Sequence, residues 1–355
     1  MTNPLYQDLD HILQHTLSVF QELKDKSIFI TGGTGFFGLW FLETIAWANK
    51  NHHLGIKAVI LTRNPGGVKI KAQHLFNDPA FEFITGDIRD FEFPGTKFQY
   101  IIHGATTNAR ETFDNEDNLK KYDTVAEGTR RLLEFSVECD ASKVLYISSG
   151  SLYGEQPQGM THIKETFSGA PRIDERNAAL GMGKRTAEFY CNYFAERYDL
   201  EIKIARCFTF FGPYLPLDIH YAVGNFFRNG IRNEDIEILG DGTPERSYLY
   251  IADLMVWLWI IFLKGENLEP YNVGSDKGMS IRHTADIIAN YFQVGVRVNQ
   301  SEKVGRPLSR YVPSVSKAKD KLGLNEIITF DEGVDRLASH ISIDPALYFE
   351  KMAKL

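Results

Sequence analysis

The sequence predicts an α/β fold, a doubly wound parallel sheet of the Rossmann kind carrying a smaller C-terminal α/β lobe. Three observations predict it. Short, continuously apolar runs recur as far as Cys207, helical segments separate them, and the first run ends in a glycine-rich turn opening directly into an apolar helix. Strands covered on both faces read as unbroken apolar runs, and parallel neighbours need a helical crossover between them.

The elements follow in order. Residues 5–24 put Leu9, Ile12, Leu13, Leu17 and Phe20 on one helical face, an amphipathic helix packed ahead of the main fold. Strands are then expected at SIFIT (27–31), AVILT (58–62), FEFIT (81–85), YIIHG (100–104), KVLYISS (143–149) and IKIARC (202–207). Helices are expected at 36–50, 117–138 and 176–198. Beyond Pro213 the rhythm loosens into shorter elements, as a smaller lobe requires. The expected organisation is an N-terminal helical extension at 1–26 and a sheet domain at 27–212 to which 245–265 returns. Residues 213–244 and 266–355 make the second lobe.

Composition narrows the function. The 355 residues are 43% hydrophobic, enough for a sizeable core. A net charge of −7 argues against a surface built to neutralise nucleic-acid backbone or anionic lipid. Three cysteines, Cys139, Cys191 and Cys207, show neither paired spacing nor histidines at ligand spacing, so no disulfide framework and no metal site is expected, and a cytoplasmic setting fits. Residues near the N-terminus are polar where a signal peptide needs an apolar run. The most apolar helix, beginning LMVWLWIIFLK at Leu254, is too short to span a bilayer.

The turn after the first strand reads Thr31-Gly32-Gly33-Thr34-Gly35-Phe36-Phe37-Gly38. Gly32 permits a tight turn, Gly35 admits a pyrophosphate to backbone N–H groups, and Gly38 allows close packing of helix on strand. At a strand-to-helix junction this pattern points to a dinucleotide, held also by Thr34, Phe36 and Phe37. The second strand ends Leu61-Thr62-Arg63-Asn64, without the acidic residue that binds the ribose hydroxyls of NAD. Arg63 suits the 2′-phosphate of NADP, or it covers the adenine face, so NAD and NADP both stay open. Asp87 and Ile88, and His103, Gly104 and Ala105, follow the third and fourth strands at the edge where ligands of such sheets are contacted. Asp87 can equally be a turn residue and His103 a buried histidine with its hydrogen bonds satisfied.

Lys184 in GMGKRTAE is not a P-loop lysine, because Ala178 and Arg185 occupy positions where that motif needs glycine and a hydroxyl. TGGTGFFG, GDIRD, IIHGAT, ISSGSLYG, GMGKRTAE, ARCFTFFGP and GDGTPERSYLYIADL occur instead in an order that resembles the extended short-chain dehydrogenase/reductase family, specifically its nucleotide-sugar epimerases, dehydratases and decarboxylases. The resemblance covers about residues 27–325. It implies a Rossmann domain with tightly held NAD(P), a C-terminal lobe gripping a nucleotide sugar, and a homodimer formed through helices 117–138 and 176–198. It further implies a catalytic Ser149 hydroxyl and Lys184, with Lys184 also holding the nicotinamide ribose. The tyrosine that transfers the proton in the family is replaced by Leu180, which cannot. Tyr153 and His162 are the nearest titratable residues by sequence, the first expected to pack and the second to be solvated.

In the dehydratases an Asp-Glu pair follows the Ser/Thr, and in the decarboxylases a glutamate lies nearby. Here Gly150 and Ser151 follow, and the resemblance implies that Ser151 lies beside the substrate. Epimerisation needs no such carboxylate, whereas GKRTAE looks like the decarboxylase helix. The resemblance carries substrate contacts to Asn225, Arg246 and Arg306 as pyrophosphate-binding residues, guanidinium forks suiting such oxygens. Asp253 is expected to cap the helix after it. The expected function is NAD(P)-dependent modification of a nucleotide sugar by transient oxidation at C4, of epimerase or 4,6-dehydratase type. The alternatives are a decarboxylase-like enzyme, a 4-keto-sugar reductase, or a noncatalytic nucleotide-sugar or dinucleotide-binding protein.

Overall fold

The computed structural model describes residues 3–107, 117–175, 178–217, 221–301 and 308–351. Contacts divide the chain into two compact units. The first comprises residues 1–154, 170–207 and 255–271, and the second 155–169, 208–254 and 272–355. Thus residues 1–26 cluster with the sheet domain, and 155–169 with the second unit.

A seven-stranded sheet organises the first unit. Its strands are β1 (Ser27–Thr31), β2 (Lys57–Thr62), β3 (Phe81–Thr85), β4 (Tyr100–His103), β5 (Lys143–Ser149), β6 (Glu201–Cys207) and, at one edge, Pro270–Val273. The order is that edge strand, then β6, β5, β4, β1, β2 and β3, and β1 through β6 pair in parallel throughout. Chain order reverses between β1 and β4. Crevices at such reversals, outside the carboxyl ends of the strands, are where open α/β sheets take ligands.

The helices supply the cover. α1 (Tyr6–Phe20) buries Leu9, Ile12, Leu13 and Phe20 and is tied to α2 (Phe36–His52) by a 2.8 Å hydrogen bond from Trp47 Nε1 to Asp10. It ends at Phe20, and a 3₁₀ turn, Gln21–Leu23, completes the segment. After β2 come α3 (Pro65–Lys71) and α4 (Gln73–Phe76), and α5 (Asn118–Glu138) and α6 (Ala178–Tyr198) cover one face. Between α5, α6 and the sheet lies an apolar cluster that includes Phe29, Ile101, Phe135, Tyr146, Cys191 and Ile204. Gly183 lets α6 approach α5, because a Cβ there would stand 3.1 Å from the Val125 side chain.

The second unit has small sheets. Glu245–Arg246 pairs with Met279–Ser280 and Arg310–Tyr311, Leu249–Tyr250 with Phe210–Phe211, and Val296–Val298 with Ile236–Ile238. Segment 155–169 is bound within this unit: Ile163 N donates to Val312 O at 2.9 Å, and the wholly buried Asn272 donates to Ile163 O at 2.8 Å. The helix Ile251–Lys264 starts in the second unit and continues in the first. Asp253, in its first turn, accepts hydrogen bonds from Ile327 N at 2.7 Å and Ile328 N at 2.8 Å, so its carboxylate anchors a distant segment of the same unit rather than serving only as a local cap.

All three cysteines are buried thiols. Among the described residues no helix is long and apolar enough to cross a membrane, and no cluster of metal-ligating side chains occurs.

Candidate functional site

The glycine turn is built as its sequence requires. Gly32 has a φ of +73°, and a Cβ there would lie 2.5 Å from the Gly104 carbonyl, so the turn closes directly on the end of β4. A Cβ on Gly38 would lie 2.3 Å from Gly32 O, so α2 can start this close to β1 only without a side chain. Gly35 differs. It caps α2 in extended conformation, and a Cβ on it would meet only Gly32 O, at an ordinary 3.4 Å. Packing within the protein therefore does not require glycine at 35. The space above it, at the N-terminus of a seventeen-residue helix, suits a phosphate. These residues fit the pyrophosphate of a dinucleotide.

His103 is held beneath this turn. Thr129 Oγ1 donates to Val125 O at 2.6 Å, which makes it the acceptor for His103 Nε2–H at 2.9 Å. Nδ1 then accepts from Thr31 Oγ1 at 2.7 Å, and Thr31 in turn accepts from Ala105 N at 3.3 Å. Burial pushes the imidazole down to about 3, so it is neutral. Its hydrogen bonds fix the 103–105 corner. Asp87 is bound by Arg89 through bonds of 2.9 and 3.0 Å, which hold its carboxyl below the usual range, and Arg63 is exposed nearby. Ile88 is buried against Gly128.

Two strands along the sheet, about 10 Å from β1 by the usual strand spacing, β5 delivers Ser149. Its Oγ accepts from Ser151 N at 3.1 Å, leaving its own proton to donate elsewhere. The Ser151 hydroxyl is buried and, among the described residues, has no hydrogen-bond partner. Lys184, in the second turn of α6, reaches the same strand: its ammonium donates to Ile147 O at 2.6 Å and lies 4.9 Å from the centre of the Tyr146 ring. Burial lowers its pKa to about 8. Leu180, one turn earlier, is half-buried against the apolar cluster.

Three residues not singled out from the sequence, Arg206, Glu188 and Ser148, hold this edge together with Tyr153. Arg206 on β6 donates to Glu188 on α6 at 2.6, 3.0 and 3.2 Å, and to the Tyr153 hydroxyl at 2.7 Å. Ser148 donates to the same carboxylate at 2.6 Å. Tyr153 is fully buried and packs, as expected. The sequence carried a signal for the pair: Glu188 sits between Ala187 and Cys191 on a buried helical face, and Arg206 interrupts an apolar strand, and buried charges come paired.

In the second unit, Arg246 is half-buried and donates to Glu245 O at 2.7 Å, Ser309 O at 3.2 Å and Ser309 Oγ at 3.3 Å. Among the described residues it has no carboxylate partner, which suits an anion. Arg310, beside it on the paired strand, forms an ion pair with Glu245. Asn225 is half-buried in the helix Ala222–Ile231. Arg306 lies outside the described residues. His162 is exposed in this unit, bonded to the Asp276 carbonyl at 2.9 Å.

Known proteins share this architecture. Residues 28–274 match the model of the NAD dependent epimerase/dehydratase family. UDP-glucuronic acid decarboxylase 1 of Arabidopsis thaliana is 27% identical over 319 residues, covering 89% of this chain and 70% of that protein. Among solved structures, an epimerase of Methanothermobacter thermautotrophicus aligns with a TM-score of 0.77 at 22% identity, covering 94% of this chain and 97% of that one. A dTDP-glucose 4,6-dehydratase of Streptomyces venezuelae, with NAD bound, aligns at 0.76 and 20%, covering 92% and 99%. At these identities the structural likeness is one of fold. The family match spans well over half of the chain, and the chain belongs to that family.

Proposed function

We propose that this member of the NAD-dependent epimerase/dehydratase family holds a nicotinamide dinucleotide and modifies a nucleotide-linked sugar by transient oxidation at C4, in the manner of an epimerase or 4,6-dehydratase. The observation that carries the reading is the pairing, on one carboxyl edge of one sheet, of the uncrowded helix N-terminus at Gly35 with the Ser149 hydroxyl and the Lys184 ammonium.

The dinucleotide, when bound, supplies a reversible hydride acceptor. Gly32, Gly35 and the first turn of α2, with Thr34, Phe36 and Phe37, hold its pyrophosphate. Asp87, Ile88, Gly104 and Ala105 line the remainder, and His103 keeps that corner in place. Lys184 holds the nicotinamide ribose, and its cationic form lowers the cost of negative charge on a sugar oxygen nearby. Ser149 orients the sugar hydroxyl through its uncommitted proton, beside Ser151. Leu180 stands where the family carries its proton-transferring tyrosine, so the chain lacks the usual acid/base group. Proton loss then proceeds to water or to a substrate oxygen, and turnover is correspondingly slow. Asn225, Arg246 and Arg306 bind the pyrophosphate of the nucleotide sugar.

The GKRTAE helix and the Arabidopsis relative favour a second reading, a decarboxylase of a nucleotide-linked uronic acid. We also propose a homodimer through α5 and α6, whose outer face exposes Phe189, Tyr193 and Tyr198 around a groove of about 490 Å³.

The test is incubation of the purified protein with UDP-, GDP-, CDP- and dTDP-sugars, followed by mass spectrometry and chromatography of the products. An isomer of unchanged mass identifies an epimerase, loss of water a dehydratase, and loss of carbon dioxide the second reading. Steady consumption of added NADPH identifies a reductase. Binding without turnover across the panel overturns the catalytic reading in favour of a binding protein.

A further inference from the structure

Resting on the reading that the 32–38 turn holds a dinucleotide, we propose that Lys71 selects the 2′-phosphorylated form of that cofactor. A carboxylate at the end of β2 would bind the ribose 2′-hydroxyl of the adenosine. Here the chain has Asn64, whose side-chain oxygen accepts from Gly67 N at 3.2 Å and so caps α3. That amide is committed to starting a helix.

The helix then comes back to the turn. Its seven residues span about 10 Å, and at its end the Lys71 ammonium donates to Thr34 O, inside the glycine turn, at 3.3 Å. Thr34 Oγ1 is itself 3.4 Å from Thr62 Oγ1, the last residue of β2. The turn, the end of β2 and the end of α3 therefore converge on one point beside the phosphate-binding backbone, where the adenosine ribose of a dinucleotide lies in this kind of fold.

Lys71 is unusual in how little it uses there. An ammonium has three N–H donors, and among the described residues Lys71 spends one, on a neutral carbonyl, with no carboxylate counterion. Its burial lowers its pKa, a cost that the single hydrogen bond does not repay. An arriving dianion would supply the missing counter-charge. The neighbouring charges allow it: Arg63 is exposed at the end of β2, and Asp87 is paired with Arg89 through two bonds. A plain ribose hydroxyl offers this cluster nothing comparable, because it carries no charge.

The experiment measures dissociation constants of NADP⁺ and NAD⁺ on the intact protein by calorimetry, for the natural chain, Lys71→Met and Lys71→Arg, with thermal melts to confirm folding. The natural chain is expected to bind NADP⁺ more tightly. Lys71→Met should weaken NADP⁺ about tenfold, as expected for one charge-assisted contact, and leave NAD⁺ within about twofold. Lys71→Arg should retain most of the preference. Equal weakening of both cofactors would show that Lys71 merely staples α3 to the turn, and tighter NAD⁺ binding by the natural chain would likewise overturn the proposal. Failure of the natural chain to bind either dinucleotide is a different result, overturning the reading of the glycine turn and the proposal with it.

Discussion

Lys184 donates a 2.6 Å hydrogen bond to the carbonyl oxygen of Ile147 while only 5% exposed, and burial brings its pKa from 10.5 down to about 8. The charged form is thus disfavoured in the folded protein by about 3 kcal/mol at neutral pH. Between pH 8 and 10.5 the unfolded chain binds more protons than the folded one, so stability contributed through this group rises with pH across that window. Lys184→Met, of similar length and apolar, removes the penalty but leaves Ile147 O unpaired, at a cost of about 1–2 kcal/mol. We expect the variant to be about 1–2 kcal/mol more stable than the natural chain at pH 7, with the advantage shrinking towards pH 10. Its dinucleotide affinity should fall. Urea melts at both pH values decide it, and a difference independent of pH would refute the electrostatic account.

The Glu188–Arg206 pair should behave oppositely. Removing one partner strands a buried charge, so Glu188→Ala and Arg206→Ala are each expected to cost about 3–5 kcal/mol. The double substitution Glu188→Leu with Arg206→Leu removes both charges, and should cost much less than the two single losses combined. Ser148 loses its acceptor when Glu188 is replaced and Tyr153 loses the Arg206 donor when Arg206 is replaced, so the double substitution removes both bonds. A double-mutant cycle in denaturant gives the coupling directly, and additive losses would mean that the bonds contribute separately.

Two glycines of one turn should separate stability from binding. Gly38→Ala places a methyl 2.3 Å from Gly32 O and must push α2 away from β1, at about 3 kcal/mol or more. Gly35→Ala meets only an ordinary contact at 3.4 Å, and should change stability by less than about 1 kcal/mol. Its methyl occupies the space assigned to phosphate, so dinucleotide affinity should drop at least about tenfold, or about 1.4 kcal/mol. Thermal melts and calorimetry on the two variants make the comparison. Unchanged affinity in Gly35→Ala would remove the phosphate from that place.

The proposed dimer makes its own demand. Phe189 is 64% exposed and Tyr193 52% on the outer face of α6, a pair of aromatics suited to burial in an interface. Phe189→Glu with Tyr193→Glu should leave the monomer folded and convert a dimer to monomer in light scattering. A natural chain already monomeric at micromolar concentration would dispose of the interface.

What the sequence made legible was whatever repeats or sits at a junction. The apolar runs matched β1 to β6 within a residue, and the glycine pattern located the turn, because both depend on neighbours in the chain. The glutamate of GKRTAE and the arginine of IARC were in plain view, yet their pairing joins a helix to a strand, which no local pattern encodes. Lys71 was missed for a related reason: a seven-residue helix shows too few turns to reveal where its end returns. Residues 155–169 follow the sheet domain in the chain, but Ile163 and Gln156 bond to Val312, so contacts distant in sequence decide their unit.

Leu180 carries the decisive prediction. It lies one helical turn before Lys184, and residues four apart share a helix face, so a phenol at 180 would project beside an ammonium whose charge lowers a phenol's pKa. Leu180 is half-buried, so the larger ring can direct its hydroxyl outward rather than overfill the core, and the expected stability loss is under about 1.5 kcal/mol. A positioned acid/base group contributes about 10²–10⁴ in rate. We therefore expect Leu180→Tyr to raise turnover of the natural substrate at least about a hundredfold, with little change in dinucleotide affinity, and to introduce a pH dependence from the phenol. Leu180→Phe, which adds the ring without the hydroxyl, should show no gain. If tyrosine and phenylalanine behave alike, the natural chain does not lack a proton-transfer group at that position, and its acid/base residue must be sought elsewhere.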